Sequence, residues 1–413
     1  MPRERNDESD VSPGEDRRDR LSRNVYVVSL VSFFQDTASE ILYPVLPFFV
    51  TGVLGAPPAV LGLIEGLADG TASAMRAVSG RLADLRHRRP LVAAGYGASA
   101  FGKFLLALAG AWPAVLVSRV TDRVGKGLRG PPRDAIIADE TTPANRGRAF
   151  GFHRAADTAG AVVGPLIGLA LYEIVGQRFR PLLWIAIIPA VISVALVFLI
   201  RERPHIRPRV PTAWSTQELP RRFWHLIALV AVFGLVNFPD TLLLLRAKDL
   251  DLGFAGVALV YVLYNVTYAA LSYPAGLVSD RLSRRVVFAT GLAVFALSYL
   301  GFGLTTTAAW VWVLLPVYGA YAALTDGVSR AWVADLVPDD VRGTALGIHA
   351  AVSGFGLLVA GVWAGLAWHG TGHLPFLISG IVVAVLAVAL LLGGRWFDAE
   401  DGSRVERVSP VTP

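Results

Sequence analysis

The sequence predicts an all-α integral membrane protein in which twelve transmembrane helices form two pseudo-symmetric six-helix bundles. Three observations indicate this fold. Of the 413 residues, 54% are hydrophobic, which is more than an ordinary soluble domain contains. Apolar runs of about 20 residues, each able to cross a hydrocarbon core roughly 30 Å thick as a helix, recur along the chain. The two halves of the chain also match each other at one fixed offset.

The predicted spans are apolar runs bounded by charge clusters, glycine and proline. They lie at 24-51, 57-79, 90-110, 113-137, 148-174, 180-200, 223-245, 254-278, 286-306, 309-335, 343-368 and 374-394. A linker rich in proline and arginine, residues 201-222, divides an N-terminal bundle, 24-200, from a C-terminal bundle, 223-394. Residues 1-23 carry dense charge of both signs and lack a signal peptide's apolar segment, so they and residues 395-413 are predicted to be disordered cytoplasmic tails.

Arginine is concentrated in every second connection between the spans. Clusters occur near 86-89, 146-148, 201-222, 281-285 and 395, whereas the other connections hold little beyond Arg178, Arg180, Arg246 and Lys248. By the positive-inside rule, this asymmetry predicts that both termini are cytoplasmic and that the chain lies in the cell (plasma or inner) membrane. The net charge of +6 is therefore an orientation signal and does not predict nucleic-acid binding. Cysteine is absent, which excludes disulfides and thiolate metal sites.

Two pairs of segments match at an offset of 196 residues. GRLADLRHRR, from Gly80, matches GLVSDRLSRR, from Gly276, and ADETTPANRGRAFGFH, from Ala138, matches ADLVPDDVRGTALGIH, from Ala334. Two separate matches at one offset indicate a duplicated six-helix unit, the kind of internal symmetry that transporters have.

The first pair of segments resembles the loop motif G-x-L-a-D-r-x-G-r-k of the major facilitator superfamily. The matching residues are Gly80, Leu82, Ala83, Asp84, Arg88 and Arg89, and in the second copy Gly276, Asp280, Arg281, Arg284 and Arg285. The resemblance implies two bundles that rock about a central site, with a cytoplasmic gate at Gly80, Asp84, Arg88, Gly276, Asp280 and Arg281. An aspartate near a helix end can accept hydrogen bonds from arginines or helix N-termini and hold the bundles together in one state. Alternatively, the arginines only anchor the loops.

A second resemblance lies in the fifth span. Gly160-x-x-x-Gly164-Pro165-x-x-Gly168 is similar to the motif of family members that exchange substrate for protons, and Ala360 replaces its second glycine in the other half. The resemblance implies export. Close helix packing through small residues is a simpler reading, and both readings can hold together.

The fourth span carries Arg119, Asp122, Arg123, Lys126 and Arg133, most of them on one helix face. Charges at the bilayer centre cost about 2.5 to 3.5 kcal/mol each, so these should face a wet cavity or opposite charges. Acidic candidates form two i, i+4 pairs, Asp36 with Glu40 and Glu65 with Asp69. Lys103, Arg154 and Asp157 extend the set.

The duplication provides an internal control for these charges. Adding 196 converts Arg119, Asp122, Arg123 and Lys126 into Leu315, Tyr318, Gly319 and Ala322, and Glu65 and Asp69 into Tyr261 and Asn265. Because the second half forms the same fold without these charges, we predict a polar chamber in the first bundle that handles substrate or protons. Static ion pairing is the alternative. The predicted chamber contains Asp36, Glu40, Glu65, Asp69, Arg119, Asp122, Arg123, Lys126 and Asp157. Opposite it we expect a wall of Tyr261, Tyr264, Asn265, Tyr268 and Tyr273, with Asp240 and Asp326 as weaker acidic candidates.

The leading functional hypothesis is a transporter that works by alternating access and exports a small molecule, drug-like or cationic, in exchange for protons. A second is uptake or exchange of an organic anion, favoured by Arg119, Arg123 and Lys126. A membrane enzyme or receptor would need a nucleophile or metal constellation or an extramembrane domain, and the sequence indicates neither. The predicted partners are a small-molecule substrate, protons and the lipid bilayer, with no cofactor and no metal.

Overall fold

The computed structural model describes residues 21–85, 87–141, 145–201, 219–338 and 341–393, without the side chains of Arg81, Asp84, Leu85, Arg146 and Asp280. Within these ranges the secondary structure is helical and contains no strand. Most of the predicted tails and linker lies outside the described residues.

The helices of the first half are α1 (Arg23–Leu42), α2 (Pro58–Leu85), α3 (Arg88–Leu108), α4 (Trp112–Asp139), α5 (Arg146–Ile174), α6 (Phe179–Ile185) and α7 (Ile187–Val197). Those of the second half are α8 (Arg221–Gly234), α9 (Asp240–Asp249), α10 (Phe254–Arg281), α11 (Arg284–Leu304), α12 (Val311–Leu336), α13 (Arg342–Leu366) and α14 (His373–Leu392). Because α6 with α7 and α8 with α9 each form one pass, the described helices make twelve passes. The predicted all-α fold is confirmed.

The helix bounds repeat the duplication seen in the sequence. Adding 196 to the bounds of α2, Pro58–Leu85, gives those of α10, Phe254–Arg281, and adding it to α3, Arg88–Leu108, gives α11, Arg284–Leu304. The repeat therefore extends from short motifs to whole helices.

Two passes are interrupted at proline, which lacks the amide hydrogen that a helix interior needs. The first pass continues beyond α1 as a helical turn, Val45–Pro47, and a π-helical segment, Phe48–Val53. The seventh pass breaks after α8 and restarts at Asp240, directly after Pro239. The structure divides the span predicted at 223-245 into two helices, and the restart places Asp240 in the first turn of α9.

Eight helices are long and apolar enough to cross a membrane, judged by length and composition. The other four passes are the first and seventh, which are interrupted, and α2 and α4, which carry several charges. On the outer surface, large apolar side chains such as Leu297 and Phe355, each 65% exposed, lie where lipid would cover them.

The passes join two sides of the molecule. We call the side with the helix ends at Arg23, Arg88 and Asp139 the terminal side, and the side with the turns at 43–57, 175–178 and 250–253 the distal side. On the distal side the halves touch: Phe48 meets Phe254 with 5.6 Å between ring centroids, and Lys248 Nζ donates to Thr51 Oγ1 over 2.7 Å.

A glycine seam continues this closure toward the middle of the molecule. It contains Gly62, Gly66 and Gly70 of α2 and Gly354, Gly361 and Gly365 of α13. A Cβ atom on Gly66 would lie 2.8 Å from Leu358 Cα, and one on Gly361 would lie 2.5 Å from the Gly62 carbonyl oxygen. Since real Cβ atoms do not approach so closely, only glycine allows α2 and α13 to meet, and the halves are sealed on the distal side.

Candidate functional site

The first half contains a buried N-terminal ion-pair network formed by Glu65, Asp69, Lys103, Arg119, Asp122 and Arg123. Its centre is Glu65, whose side chain has no solvent exposure. Arg119 donates to both Glu65 carboxylate oxygens, from Nε over 2.7 Å and from Nη2 over 2.8 Å. This bidentate geometry is the strongest arrangement for a guanidinium and a carboxylate.

The rest of the network extends from this pair in both directions. Lys103 Nζ lies 3.0 Å from Asp122 Oδ1, and both residues are almost completely buried. Arg123 Nε lies 3.0 Å from Asp69 Oδ1, and the Asp69 side chain is 33% exposed. Three acids thus face three bases, as a buried set of charges requires. The structure brings these predicted chamber residues together, but most of them contact each other and only Asp69 reaches open space.

A second group of charges lies between α1, α4 and α5. Arg129 Nη2 is 3.9 Å from Asp36 Oδ1, and Arg133 Nη1 is 3.9 Å from Asp157 Oδ2. The Arg129 guanidinium also lies 4.6 Å from the centroid of the Tyr96 ring. Asp36 is 27% exposed and Asp157 is 13% exposed. These longer contacts are weaker than those around Glu65, and they leave Asp36 partly exposed.

Lys126 differs from its charged neighbours. It lies in the middle of α4 yet is exposed, and it forms no hydrogen bond or ion pair with a described residue. A lysine at this depth is tolerated where it faces a water-filled space. Its exposure therefore indicates a water-filled space beside the middle of α4.

The second half contains a row of stacked tyrosines. Tyr261, Tyr264 and Tyr268 recur at i, i+3 and i+7 on one face of α10. The Tyr261 and Tyr264 ring centroids are 5.7 Å apart with planes at 19°, and those of Tyr264 and Tyr268 are 6.5 Å apart with planes at 8°. Tyr318 stacks on Tyr264 at 5.7 Å, and Tyr43 of the first half stacks on Tyr261 at 5.1 Å. We call these five residues the tyrosine row.

Hydroxyl groups of the row hold three carboxylates. Tyr261 donates to Glu40 over 2.8 Å and Tyr268 donates to Asp326 over 3.2 Å. Asp240 accepts from two residues, Tyr318 over 2.7 Å and Tyr264 over 3.2 Å. Within the described residues, none of the three carboxylates has an arginine or lysine nitrogen at ion-pair distance.

Two of these tyrosines also connect the halves. Glu40 belongs to α1, so its bond with Tyr261 of α10 crosses from one half to the other. Arg154 of α5 donates to the Tyr268 hydroxyl over 2.9 Å, which is a second crossing. Any motion of one half against the other changes these contacts.

The predicted aromatic wall is present except for one member. Asn265 is buried and donates to the Tyr261 carbonyl oxygen over 3.0 Å. Tyr273 is 75% exposed and lies outside the row, because five residues after Tyr268 the helix has turned that side chain off the shared face. Tyr318 was missed as a site residue. The sequence feature that could have identified Tyr318 is its equivalence to Asp122 in the duplication.

Two cavities meet at the terminal end of the row. One of about 430 Å³ is lined by Asp326, Arg330 and Ser279, and one of about 570 Å³ is lined mainly by small apolar side chains that include Ala155 and Val162. Arg154, Tyr268 and Ser272 line both cavities. A polar space and an apolar space are therefore continuous between α5 and α10.

The glycine motif of α5 packs directly on α1. A Cβ on Gly160 would lie 2.8 Å from the Phe33 carbonyl oxygen and 3.1 Å from Asp36 Cβ. One on Gly164 would lie 2.7 Å from Glu40 Cβ, and one on Gly168 would lie 3.1 Å from the Ile41 carbonyl oxygen. Pro165 lies inside the helix. The motif therefore brings α5 against α1 beside the two acidic residues of the first pass.

The predicted gate is only partly described. The side chains of Asp84 and Asp280 lie outside the described residues. Arg88 pairs with Asp139 and donates to the Ala135 carbonyl oxygen over 3.1 Å. The equivalent Arg284 pairs with Asp335 over 3.1 Å. Each of these pairs joins neighbouring helices of one half.

The remaining gate residues have different surroundings. Gly80 of α2 lies beside Pro131, Gly276 lines the 430 Å³ cavity, and Arg281 is exposed at the end of α10. The gate assignment remains a prediction for all of them.

Comparison with known proteins gives consistent matches. The family profile of the Major Facilitator Superfamily matches residues 28–252 and 238–410. An uncharacterised MFS-type transporter of Methanocaldococcus jannaschii is 33% identical over 380 residues, covering 90% of this chain and 95% of the relative. The multidrug resistance protein MdtH of Yersinia enterocolitica is 24% identical over 366 residues, covering 85% and 89%.

Solved structures with the same fold include a mutant of the nucleoside transporter NupG, with a TM-score of 0.78 at 15% identity, covering 91% of this chain and 100% of that one. A mutant of the peptide transporter POT gives a TM-score of 0.77 at 14% identity, covering 90% and 94%. At these identities the likeness concerns the fold alone.

Proposed function

Because the chain belongs to the Major Facilitator Superfamily, we propose that this multi-pass membrane transporter exports a small molecule in exchange for protons. Residues 24-200 and 223-394 move as two bundles about the cavity, and residues 201-222 link them. Opening alternates between the distal and the terminal side. The glycine seam of α2 and α13 is the contact that parts when the distal side opens.

The terminal side is assigned to the cytoplasm. Its described helix ends carry Arg88, Arg89, Arg221, Arg222, Arg281, Arg284 and Arg285, whereas the distal side carries Arg178, Arg180, Arg246 and Lys248. The positive-inside rule places the richer side in the cytoplasm, together with both termini. The cavity then opens inward, which is the state in which an exporter takes up substrate.

The position of Glu40 is the observation that carries the proposal. Its Cβ lies against Gly164 of the antiporter-type motif, and its carboxylate accepts the Tyr261 hydroxyl across the two halves over 2.8 Å. An ionised carboxylate makes a stronger hydrogen bond to a hydroxyl than a protonated one does. Ionised Glu40 therefore stabilises the inward-open arrangement and protonation weakens it, which couples protonation to the direction of opening.

The direction of transport rests on two further observations. The α5 motif resembles that of exporters which exchange substrate for protons, and it contacts α1 at Asp36 and Glu40. MdtH is named a multidrug resistance protein, which is consistent with export of drug-like compounds.

The test uses inverted membrane vesicles that carry an imposed pH gradient, acid inside, reported by a pH-sensitive dye. Drug-like compounds added outside should dissipate the gradient in the presence of the wild-type protein. Glu40→Gln should insert normally and lose this response, because the side chain can no longer gain or lose a proton. The matched control is Glu173→Gln, an exposed carboxylate on α5. A wild-type response in Glu40→Gln would refute the assignment.

A second function, uptake or exchange of an organic anion, is favoured by the exposed bases of the cavity. Arg154 and Arg330 line the 430 Å³ cavity, and Lys126 and Arg76 are also exposed. If this reading holds, organic anions and not drug-like cations will be moved, and Lys126→Gln will abolish their movement. Under the leading proposal, Lys126→Gln retains proton exchange.

A further inference from the structure

We propose that an anionic phospholipid of the surrounding bilayer binds in the crevice between α5 and α10. Its phosphate lies between Arg154 and Arg330, which line the polar cavity of about 430 Å³, and an acyl chain lies in the apolar cavity of about 570 Å³. Neither arginine belongs to either family motif. The site goes beyond the proposed function and does not depend on proton exchange.

The first argument is the charge of the polar cavity. Arg154 of α5 and Arg330 of α12 line it, and Asp326 is the one acidic side chain among its described lining residues. A third lining arginine, Arg284, already pairs with Asp335. Within the part of the chain that the structure describes, neither Arg154 nor Arg330 lies at ion-pair distance from a carboxylate. A phosphate group can provide the missing negative charge, and guanidinium groups suit its geometry.

The second argument is that the two arginines approach the same point from opposite halves. Arg154 donates to the Tyr268 hydroxyl over 2.9 Å, and that hydroxyl donates to Asp326 over 3.2 Å. Arg330 follows Asp326 by four residues on α12, so it lies one turn further along the same helix face. One phosphate group can therefore contact both arginines and bridge the two halves.

The third argument is the lining of the adjoining cavity. Its apolar lining residues are Ala155, Ala159, Val162 and Val163 of α5 and Ala269 of α10. Filling a space of this kind with water is unfavourable, whereas an acyl chain matches it. Arg154, Tyr268 and Ser272 line both cavities, so a headgroup in one space can be connected to a chain in the other.

The fourth argument is that the apolar cavity reaches the outer surface of the bundle. Val163 shares a face of α5 with Ile167, which follows it by four residues and is 39% exposed. Ala269 shares a face of α10 with Tyr273, which also follows by four residues and is 75% exposed. A lipid chain can therefore enter sideways from the bilayer, between the two helices.

The crevice is confined to the terminal part of these helices. At the distal end α5 and α10 meet, with 4.5 Å between the ring centroids of Tyr172 and Phe254. Arg154 lies about two turns from the terminal end of α5. Basic pockets between transmembrane helices near a membrane surface bind anionic lipid headgroups. The bound lipid thus belongs to the leaflet on the terminal side.

The test is lipid titration of the purified full-length protein in detergent, followed by native mass spectrometry. Dioleoylphosphatidylglycerol has the anionic head and the chains, dioleoylphosphatidylcholine has the same chains with a neutralised phosphate, and glycerol 1-phosphate has the head alone. The first phosphatidylglycerol molecule should bind about tenfold or more tightly than phosphatidylcholine. Glycerol 1-phosphate at the same concentration should not displace it.

Two variants probe the head and the chain separately. Arg330→Gln removes a charge that makes no hydrogen bond to a described residue, and it should weaken phosphatidylglycerol binding about tenfold. Ala159→Phe fills the apolar cavity and should weaken that binding to a similar extent. The matched controls are Arg178→Gln, at an exposed arginine on the distal side, and Ala170→Phe, at an exposed alanine of α5. Both controls should retain wild-type affinity, and unchanged thermal unfolding of the four variants excludes misfolding.

The contrary outcomes are distinct. Equal affinity for the two phospholipids, or wild-type affinity in Arg330→Gln, means that charge does not select the lipid, and it overturns the site. If glycerol 1-phosphate displaces phosphatidylglycerol and Ala159→Phe has no effect, the polar cavity binds soluble phosphates and the assignment to a lipid is wrong. None of these results depends on whether the protein exchanges protons.

Discussion

The two halves of this protein use equivalent positions in opposite ways. Lys103 and Asp122 form a buried salt bridge with 3.0 Å between Nζ and Oδ1. Adding 196 to their numbers gives Tyr299 and Tyr318, whose ring centroids lie 5.8 Å apart. One half joins its third and fourth passes through charge, and the other joins the corresponding passes through aromatic rings.

This difference separates what the fold needs from what the function uses. Glu65 is buried against Arg119, whereas its equivalent, Tyr261, reaches out of its own half to Glu40. Since aromatic packing takes the place of these ion pairs at the equivalent positions of the second bundle, the fold does not require them. Buried ion pairs often contribute little net stability compared with apolar packing. We therefore infer that the charged half is retained for transport, and that the carboxylates held by tyrosines are those that exchange protons or substrate.

Removing a charge from the N-terminal ion-pair network should give the largest loss of stability. Arg119→Met leaves Glu65 buried with only the longer contact to Arg123, 3.7 Å from Nη2 to Oε2. Removing one partner of a buried pair costs about 3 to 5 kcal/mol, so the free energy of unfolding in detergent should fall by about that amount. The measurement is chemical or thermal denaturation followed by tryptophan fluorescence.

Two variants sharpen this result. Arg178→Met, at an exposed arginine, should be close to wild type. The double variant Glu65→Gln with Arg119→Met should recover a large part of the loss, because it removes the uncompensated charge. If the double variant is no more stable than Arg119→Met, charge compensation is not what the network provides.

The second-largest difference between the halves is expected at the glycine motif of α5. Gly164→Ala places a Cβ 2.7 Å from Glu40 Cβ and 2.9 Å from the Thr37 carbonyl oxygen, and overpacking of this kind costs about 1 to 3 kcal/mol. Its equivalent is already alanine, and Ala360→Gly should cost only the helix propensity, about 0.5 to 1 kcal/mol. Proton-driven efflux should become leaky in Gly164→Ala and stay coupled in Ala360→Gly. Equal behaviour of the two variants would mean that the motif has no special role.

The arginines on the terminal side should give a smaller difference. Arg88 and Arg284 are equivalent, but the side chain of Arg88 is 10% exposed and that of Arg284 is 23% exposed, beside aspartates that are each about half-exposed. Partly exposed pairs contribute about 1 kcal/mol or less. We expect Arg88→Gln to lower the unfolding temperature more than Arg284→Gln, without affecting binding of substrate in detergent. Loss of binding in either variant would place these residues in the site.

Much of the fold could be predicted because apolar length and duplication are properties of the sequence itself. The span predicted at 148-174 is observed as Arg146–Ile174, and the one at 254-278 as Phe254–Arg281. The break before Asp240 was missed because the apolar run continues through it, although Pro239 marks the position.

The partners within the site could not be predicted, because helical spacing identifies a face but not the neighbouring helix. The sequence grouped Asp36 with the charges of α4 in general. The structure places it 3.9 Å from Arg129, which the predicted chamber did not include. The tyrosine contacts of Glu40 and Asp240 depend on packing between distant segments, and no local pattern reveals such packing.

The smallest expected effect belongs to Tyr299, the aromatic equivalent of Lys103. Its hydroxyl is buried and, among the described residues, has no hydrogen-bond partner, while its ring stacks on Phe295 with 3.8 Å between centroids. Tyr299→Phe keeps the ring and removes an unpaired polar group, so stability should be unchanged or slightly higher. Lys103→Met, the matched change in the charged half, should be clearly destabilising because Asp122 loses its shortest partner. If Tyr299→Phe is instead destabilising by more than about 1 kcal/mol, the Tyr299 hydroxyl has a hydrogen-bond partner. The position equivalent to Lys103 would then belong to a hydrogen-bonded chain leading toward Asp240 and would not be apolar.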